Sequence, residues 1–102
     1  MQKTAREWTV REDAILLCHL RMYNKYVKSL QRGELGEKKL HFAKTLQDRY
    51  SDKLKDREPE TIYPHLDYLL KLVKGEFTES KLDKLKKSDV ENYHGLWSRA
   101  AV

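Results

Sequence analysis

Apolar residues recur along the first third of the chain at helical spacing. Leu16, Leu20, Tyr23, Val27 and Leu30 are separated by 4, 3, 4 and 3 positions, which places them on one face of a helix. Ile15, Met22 and Tyr26 widen that stripe. Thr9 and Glu12 have the spacing of a capping box, in which the hydroxyl and the carboxylate each take an orphan backbone N–H. Trp8 stands just before the cap as a large apolar anchor. The pattern predicts a first helix from Thr9 to about Arg32, ended by Gly33 and Gly36 with Glu34 and Leu35 as a short loop.

A second helix is predicted from Glu37 to about Lys53, with Phe42, Ala43, Leu46 and Tyr50 on one face and Leu54 extending it. Residues 51–57 are too polar to bury, and their second half reads as a loop. A third helix starts near Pro59, which suits a first helical turn. Its apolar face is Ile62, Leu66, Leu69, Leu70 and Val73, and Gly75 ends it. Pro64 should kink this helix, unless residues 59–63 form a short turn and the main helix begins at Pro64.

Thr78 or Ser80 can cap a short helix carrying Leu82 and Leu85. Residues 88–91 form a second capping box, opening a helix with Val90, Tyr93, Leu96 and Trp97. Gly95 is expected to weaken that helix by about 1 kcal/mol relative to Ala. The tyrosines fall mostly at helical spacing and are expected to line the core with hydroxyls outward. Tyr63 and Tyr68 are expected to be the most exposed, and Trp97 either folds back on the domain or anchors a partner. The fold class is all-α.

Composition narrows the function. A chain of 102 residues reads as one domain. Four glycines and two prolines leave little material for the tight turns of a β fold. No apolar run reaches the roughly 20 residues a membrane span needs, and residues 1–7 show no leader pattern. Cys18 is single, which excludes an internal disulfide and suits a reducing compartment. The four histidines (His19, His41, His65 and His94) lack metal-ligand spacing. There is no glycine-rich phosphate loop, nucleophile elbow or His-Glu-x-x-His motif. Neither catalysis, a small-molecule substrate, a metal nor a cofactor is expected.

The net charge of +5 is compatible with nucleic acid as a partner, but it is unevenly spread. Residues 1–36 and 37–57 each carry net +3, residues 58–76 carry net −2 and residues 77–102 carry net +1. The predicted third helix therefore lies in the acidic segment.

Three stretches together resemble the Myb/SANT-like family of helix-turn-helix domains. The opening resembles the family's in Trp8-Thr9, Glu12-Asp13 and Ile15-Leu16-Leu17; the middle does so in residues 42–46, and the third element in residues 57–66 followed by Leu69-Leu70. Of the family's three evenly spaced core aromatics, Trp8 is retained; the other positions fall near Lys39 or Leu40 and at Leu66. The resemblance implies a three-helix domain over residues 7–75; residues 76–102 lie outside it and read as a C-terminal helical extension with one or two short helices. The resemblance also implies a nuclear, non-enzymatic binding module of chromatin or transcription machinery.

The family divides between DNA and protein recognition. Groove entry needs exposed Arg, Lys, Asn or Gln on the third helix. The expected exposed positions (Glu60, Thr61, Tyr63, His65, Asp67, Tyr68, Lys71 and Lys74) include two acids and no Arg, Asn or Gln. A protein partner, such as a histone tail or chromatin subunit, fits this helix better. Its contact residues are then Glu60, Tyr63, His65, Asp67 and Lys71. The alternative is duplex DNA, held through Arg49, Lys53, Lys55, Arg57, Lys71 and Lys74. A further alternative is a structural subunit that assembles with a larger partner. A solvated face with no ligand also accounts for these charges.

Overall fold

The computed structural model describes residues 7–54 and 56–100. Helix α1 spans Val10–Cys18 and begins as the capping box requires: Glu12 N–H donates to Thr9 Oγ1 at 3.1 Å, and Thr9 N–H donates to the Glu12 carboxylate at 3.0 Å. The single first helix read from the sequence is interrupted at His19 (φ −106°, ψ 4°), and α2 spans Leu20–Lys28. The interruption lies where the His19 ring meets the Tyr50 hydroxyl at 2.7 Å. Tyr23 N–H still bonds to His19 O, so the ladder resets without unwinding, and Leu16, Leu20 and Tyr23 all stay fully buried.

The expected glycine stop is not used. Gly33 lies in a short 3-10 turn, Arg32–Glu34, and Gly36 in the first turn of α3, Leu35–Arg49. Neither glycine takes the left-handed conformation that ends a helix; among the described residues Gly75 (φ 72°) and Gly95 (φ 67°) do. Tyr50 follows α3, and in the polar connection that comes next Leu54 is fully buried.

Helix α4 runs unbroken from Pro59 to Val73, through Pro64. Pro64 and Glu60 are both exposed, so the carbonyl that Pro64 leaves without a helical donor lies on the solvent side, where water can satisfy it. The short helices α5 (Glu79–Leu82), α6 (Lys87–Tyr93) and α7 (Leu96–Ala100) follow. Thr78 caps α5. The second capping box is not formed: α6 starts ahead of Ser88, with Lys86 as an N-cap that makes no side-chain bond.

Helix α4 is the centre of the molecule, packing on α2, α3, α6 and α7. It buries Ile62, Leu66, Leu69, Leu72 and Val73 in a cluster with Leu16, Leu20 and Tyr23 from α1–α2, Ala43 and Leu46 from α3, and Tyr93 from α6. Full burial of each such aliphatic side chain contributes about 1.5–3 kcal/mol. Gly95 N–H donates to Leu72 O at 2.9 Å, fixing the α6–α7 turn on α4. The residues after 75 are thus part of the same globule, and Trp97 folds back beneath the Arg21 guanidinium, 4.4 Å from its ring. Their number corrects the expectation, since three short helices follow α4.

Candidate functional site

A buried polar knot lies at the N-terminal end of α4. Arg57, just before the helix, is 6% exposed. Its guanidinium donates to both Glu12 carboxylate oxygens at 2.8 Å and to Glu7 O at 2.6 Å. It also lies 4.1 Å from the Trp8 ring centre, while the imidazole of His65 stacks on Trp8 at 4.2 Å and 5°. The indole is therefore held by an ion pair on one side and a ring of α4 on the other. The Arg57 hydrogen bonds are the main reason the Glu12 carboxyl titrates at about 2, well below the usual carboxylate range.

Asp13 continues the network into the C-terminal helices. His65 Nε2 meets Asp13 Oδ1 at 2.7 Å, with the two side chains only 12% and 4% exposed. The Tyr93 hydroxyl points to the other oxygen of Asp13 at 3.4 Å, and burial is the largest cause raising that phenol to about 12. Next along α4, the Tyr68 hydroxyl donates to Asp89 of α6 at 2.9 Å. Burial, reinforced by Asp89, pushes the Tyr68 phenol up as well.

Against this frame the expected partner-binding residues separate. Glu60 and Lys71 are exposed. Tyr63 is half-buried and packs against the core. His65 is tied between Trp8, Asp13 and Tyr68. Asp67 keeps 39% of its side chain exposed, while accepting from the Tyr23 hydroxyl at 2.6 Å and from Lys39 at 3.0 Å. The expectation that Tyr63, His65, Asp67, Tyr68 and Lys74 are exposed is thus corrected to half-burial. The physical reason is that α4 is covered on several sides by α2, α3, α6 and α7. Tyrosine hydroxyls are not uniformly outward either: Tyr23 is fully buried and bonded to Asp67.

The basic set disperses in the same way. Arg57 is buried against Glu12 and cannot reach a phosphate without breaking that pair. Lys74 is half-buried and donates to Asn24 at 3.0 Å. Lys71 sits over the Phe77 ring at 5.1 Å. Lys55 lies outside the described residues. Arg49 and Lys53 are exposed.

No family model, curated protein or solved structure matches the chain. Along α4 the outward line is Glu60, Pro64, Asp67 and Lys71, spaced 4, 3 and 4 and therefore on one edge of the helix. Among the described residues no group of three His, Cys, Asp or Glu side chains is placed to hold a metal. No described helix is long and apolar enough to cross a membrane.

What the residue pattern did not reveal is the set of long-range polar pairs: Glu12 with Arg57, Asp13 with His65, and Tyr23 with Asp67. One signal was available. Glu12 and Asp13 fall on the same helix as Leu16 and Leu20, on or beside its apolar stripe, and an acid there needs a buried partner.

Proposed function

We propose that the chain is a non-catalytic recognition module of the Myb/SANT-like type, working in the nucleus within chromatin or transcription machinery, with a protein as its partner. The observation that carries this reading is the composition of the outward line of α4. Glu60, Pro64 and Lys71 are exposed, and Asp67 between them is half-buried and already paired with Lys39, so among the described residues the line offers one free carboxylate and one ammonium. Reading a DNA groove calls for exposed Arg, Lys, Asn or Gln, and this line has Lys71 but no Arg, Asn or Gln. The exposed Glu60 carboxylate suits the Lys and Arg side chains of a basic segment such as a histone tail. The resemblance to the family rests on the capped start behind Trp8 and on the residues that open α4, while the first helical unit is longer than the family's. Catalysis has no part in the proposal, because the two buried acids, Glu12 and Asp13, are committed to Arg57 and His65.

The test is fluorescence anisotropy of the chain with a Lys/Arg-rich histone-tail peptide and with duplex DNA, each at two salt concentrations. The peptide is expected to bind. Glu60→Lys, an exposed change with the far-UV circular dichroism preserved, is expected to weaken it by about 2- to 5-fold, the range of one surface charge contact. Duplex retention with a steep salt slope and no peptide binding would instead establish the DNA reading.

A further inference from the structure

A second surface lies on the other side of α1 from the buried Glu12, Asp13 and Leu16. There the helix presents Arg11, Ala14 and Cys18, all exposed. With Ile15, Tyr50 and Lys53 they line a groove of about 390 Å³. Its floor is apolar or weakly polar, and its two charged walls, from α1 and from the chain after α3, are both cationic. On the other side of the His19–Tyr50 hydrogen bond a separate, smaller recess of about 120 Å³ lies between α2 and α3, lined by Met22, Tyr26, Phe42, Leu46 and Arg49 among others. Met22 is 62% exposed and offers apolar surface at this recess.

No Asp or Glu lines either recess. Among the described residues Arg11, Arg49 and Lys53 form no ion pair. Asp48 and Asp52 are exposed nearby on the chain but line neither recess. Together the two recesses, parted by the His19–Tyr50 hydrogen bond, make a trough alongside α1 and α2.

We propose that this trough is a docking site for an acidic amphipathic helical segment of a partner protein. Its apolar side chains would seat over Ile15, Cys18 and Met22, and its carboxylates would face Arg11, Arg49 and Lys53. The inference rests on charge complementarity together with the apolar floor. Nucleic acid is disfavoured because a phosphate track calls for a row of cations and polar donors, whereas here three cations flank an apolar strip, the form of a helix-binding groove. The trough is separate from the α4 line, so the two readings stand or fall independently.

The test uses the full chain and four fluorescent probes: an amphipathic peptide with Leu and Phe on one face and Glu on the other, the same peptide with Gln for Glu, the same peptide with Ala for Leu and Phe, and a short DNA duplex. The first probe is expected to bind saturably and to protect Cys18 from alkylation. The Gln and Ala probes are each expected to bind at least about tenfold more weakly, since charge match and apolar anchoring are both required. Arg11→Glu combined with Lys53→Glu is expected to weaken the first probe by about tenfold or more with circular dichroism unchanged. Met22→Ser should weaken it through the apolar floor alone. Equal binding of the Gln probe, tighter binding of the duplex, unprotected Cys18, indifference to both variants, or concentration-dependent self-association that blocks the probe would each overturn the proposal.

Discussion

Removing one partner of the Glu12–Arg57 pair leaves the other charge stranded in a buried site. Arg57 is 6% and Glu12 5% exposed, and two 2.8 Å hydrogen bonds join them. Breaking such a pair from one side costs about 3–5 kcal/mol, whereas replacing both members with apolar side chains of similar size can be nearly neutral. Arg57→Met and Glu12→Leu are therefore each expected to lower Tm by more than 10 °C, at roughly 4–8 °C per kcal/mol for a domain of this size. The double variant is expected to recover at least about 2 kcal/mol of the summed loss. It will not recover all of it, because Glu12 also completes the cap on Thr9. Additive losses in urea unfolding would show that the two side chains act separately. This pair also marks what was legible residue by residue. The cap on α1 depends on neighbours three positions apart, and the sequence displayed it. Arg57 looked like one more cation of a basic stretch, because its partner lies 45 residues away, and only the packing of α1 beside the head of α4 brings them together.

Local chemical signals set some element boundaries and not others: the glycine stop at Gly33 and Gly36 and the capping box at residues 88–91 are present in the sequence and unused. Thr9, Pro59 and Thr78 start helices as their chemistry dictates. The interruption at His19 has no local signature, since it lies where the ring meets Tyr50, whereas Leu54, which extends the apolar face predicted for the second helix, is buried although its neighbours are polar. Gly95 separates the two kinds of reasoning most sharply. Within a continuous C-terminal helix, Gly95→Ala would stabilise by about 1 kcal/mol. In the structure Gly95 has φ 67°, lies between α6 and α7, and donates its N–H to Leu72 O. A Cβ there meets nothing within 4 Å, so the effect is backbone strain alone, about 1–2 kcal/mol. Gly95→Ala is thus expected to lower Tm by several degrees and to speed amide exchange in α6 and α7 more than in α3. A rise in Tm would mean that residues 87–100 form one helix.

At the scale of the whole molecule, the polar contacts join into a chain that ties both ends of the described structure to α4. Glu12 and Trp8 engage Arg57 and His65, Asp13 bridges His65 to Tyr93, and Asp89 receives Tyr68. The radius of gyration, 14.0 Å, is near the roughly 13 Å expected for one compact unit of this length. Such a fold should lose stability at both ends of the pH scale, for reasons of opposite sign. Glu12 has its folded pKa lowered from 4.5 to about 2. Its contribution is present above the unfolded value and lost as pH falls from about 4.5 toward 2; that interval corresponds to a few kcal/mol, on the order of 3. His19, lowered chiefly by burial and further by Arg49, adds a loss that begins once pH falls below its unfolded value near 6.5. Tyr93 has its folded pKa raised from 10.0 to about 12, and Tyr68 and Tyr23 are also raised. Their contribution is complete below pH 10 and disappears as pH climbs through the folded values. Tm measured across pH should therefore hold a plateau between about pH 6.5 and 10, with a shallow descent below it that steepens under about pH 4.5. Glu12→Gln should lower the plateau and flatten the acid limb, because the variant no longer has this carboxyl to protonate. An acid limb of unchanged slope in that variant would move the origin of acid unfolding away from the knot at the N-terminal end of α4.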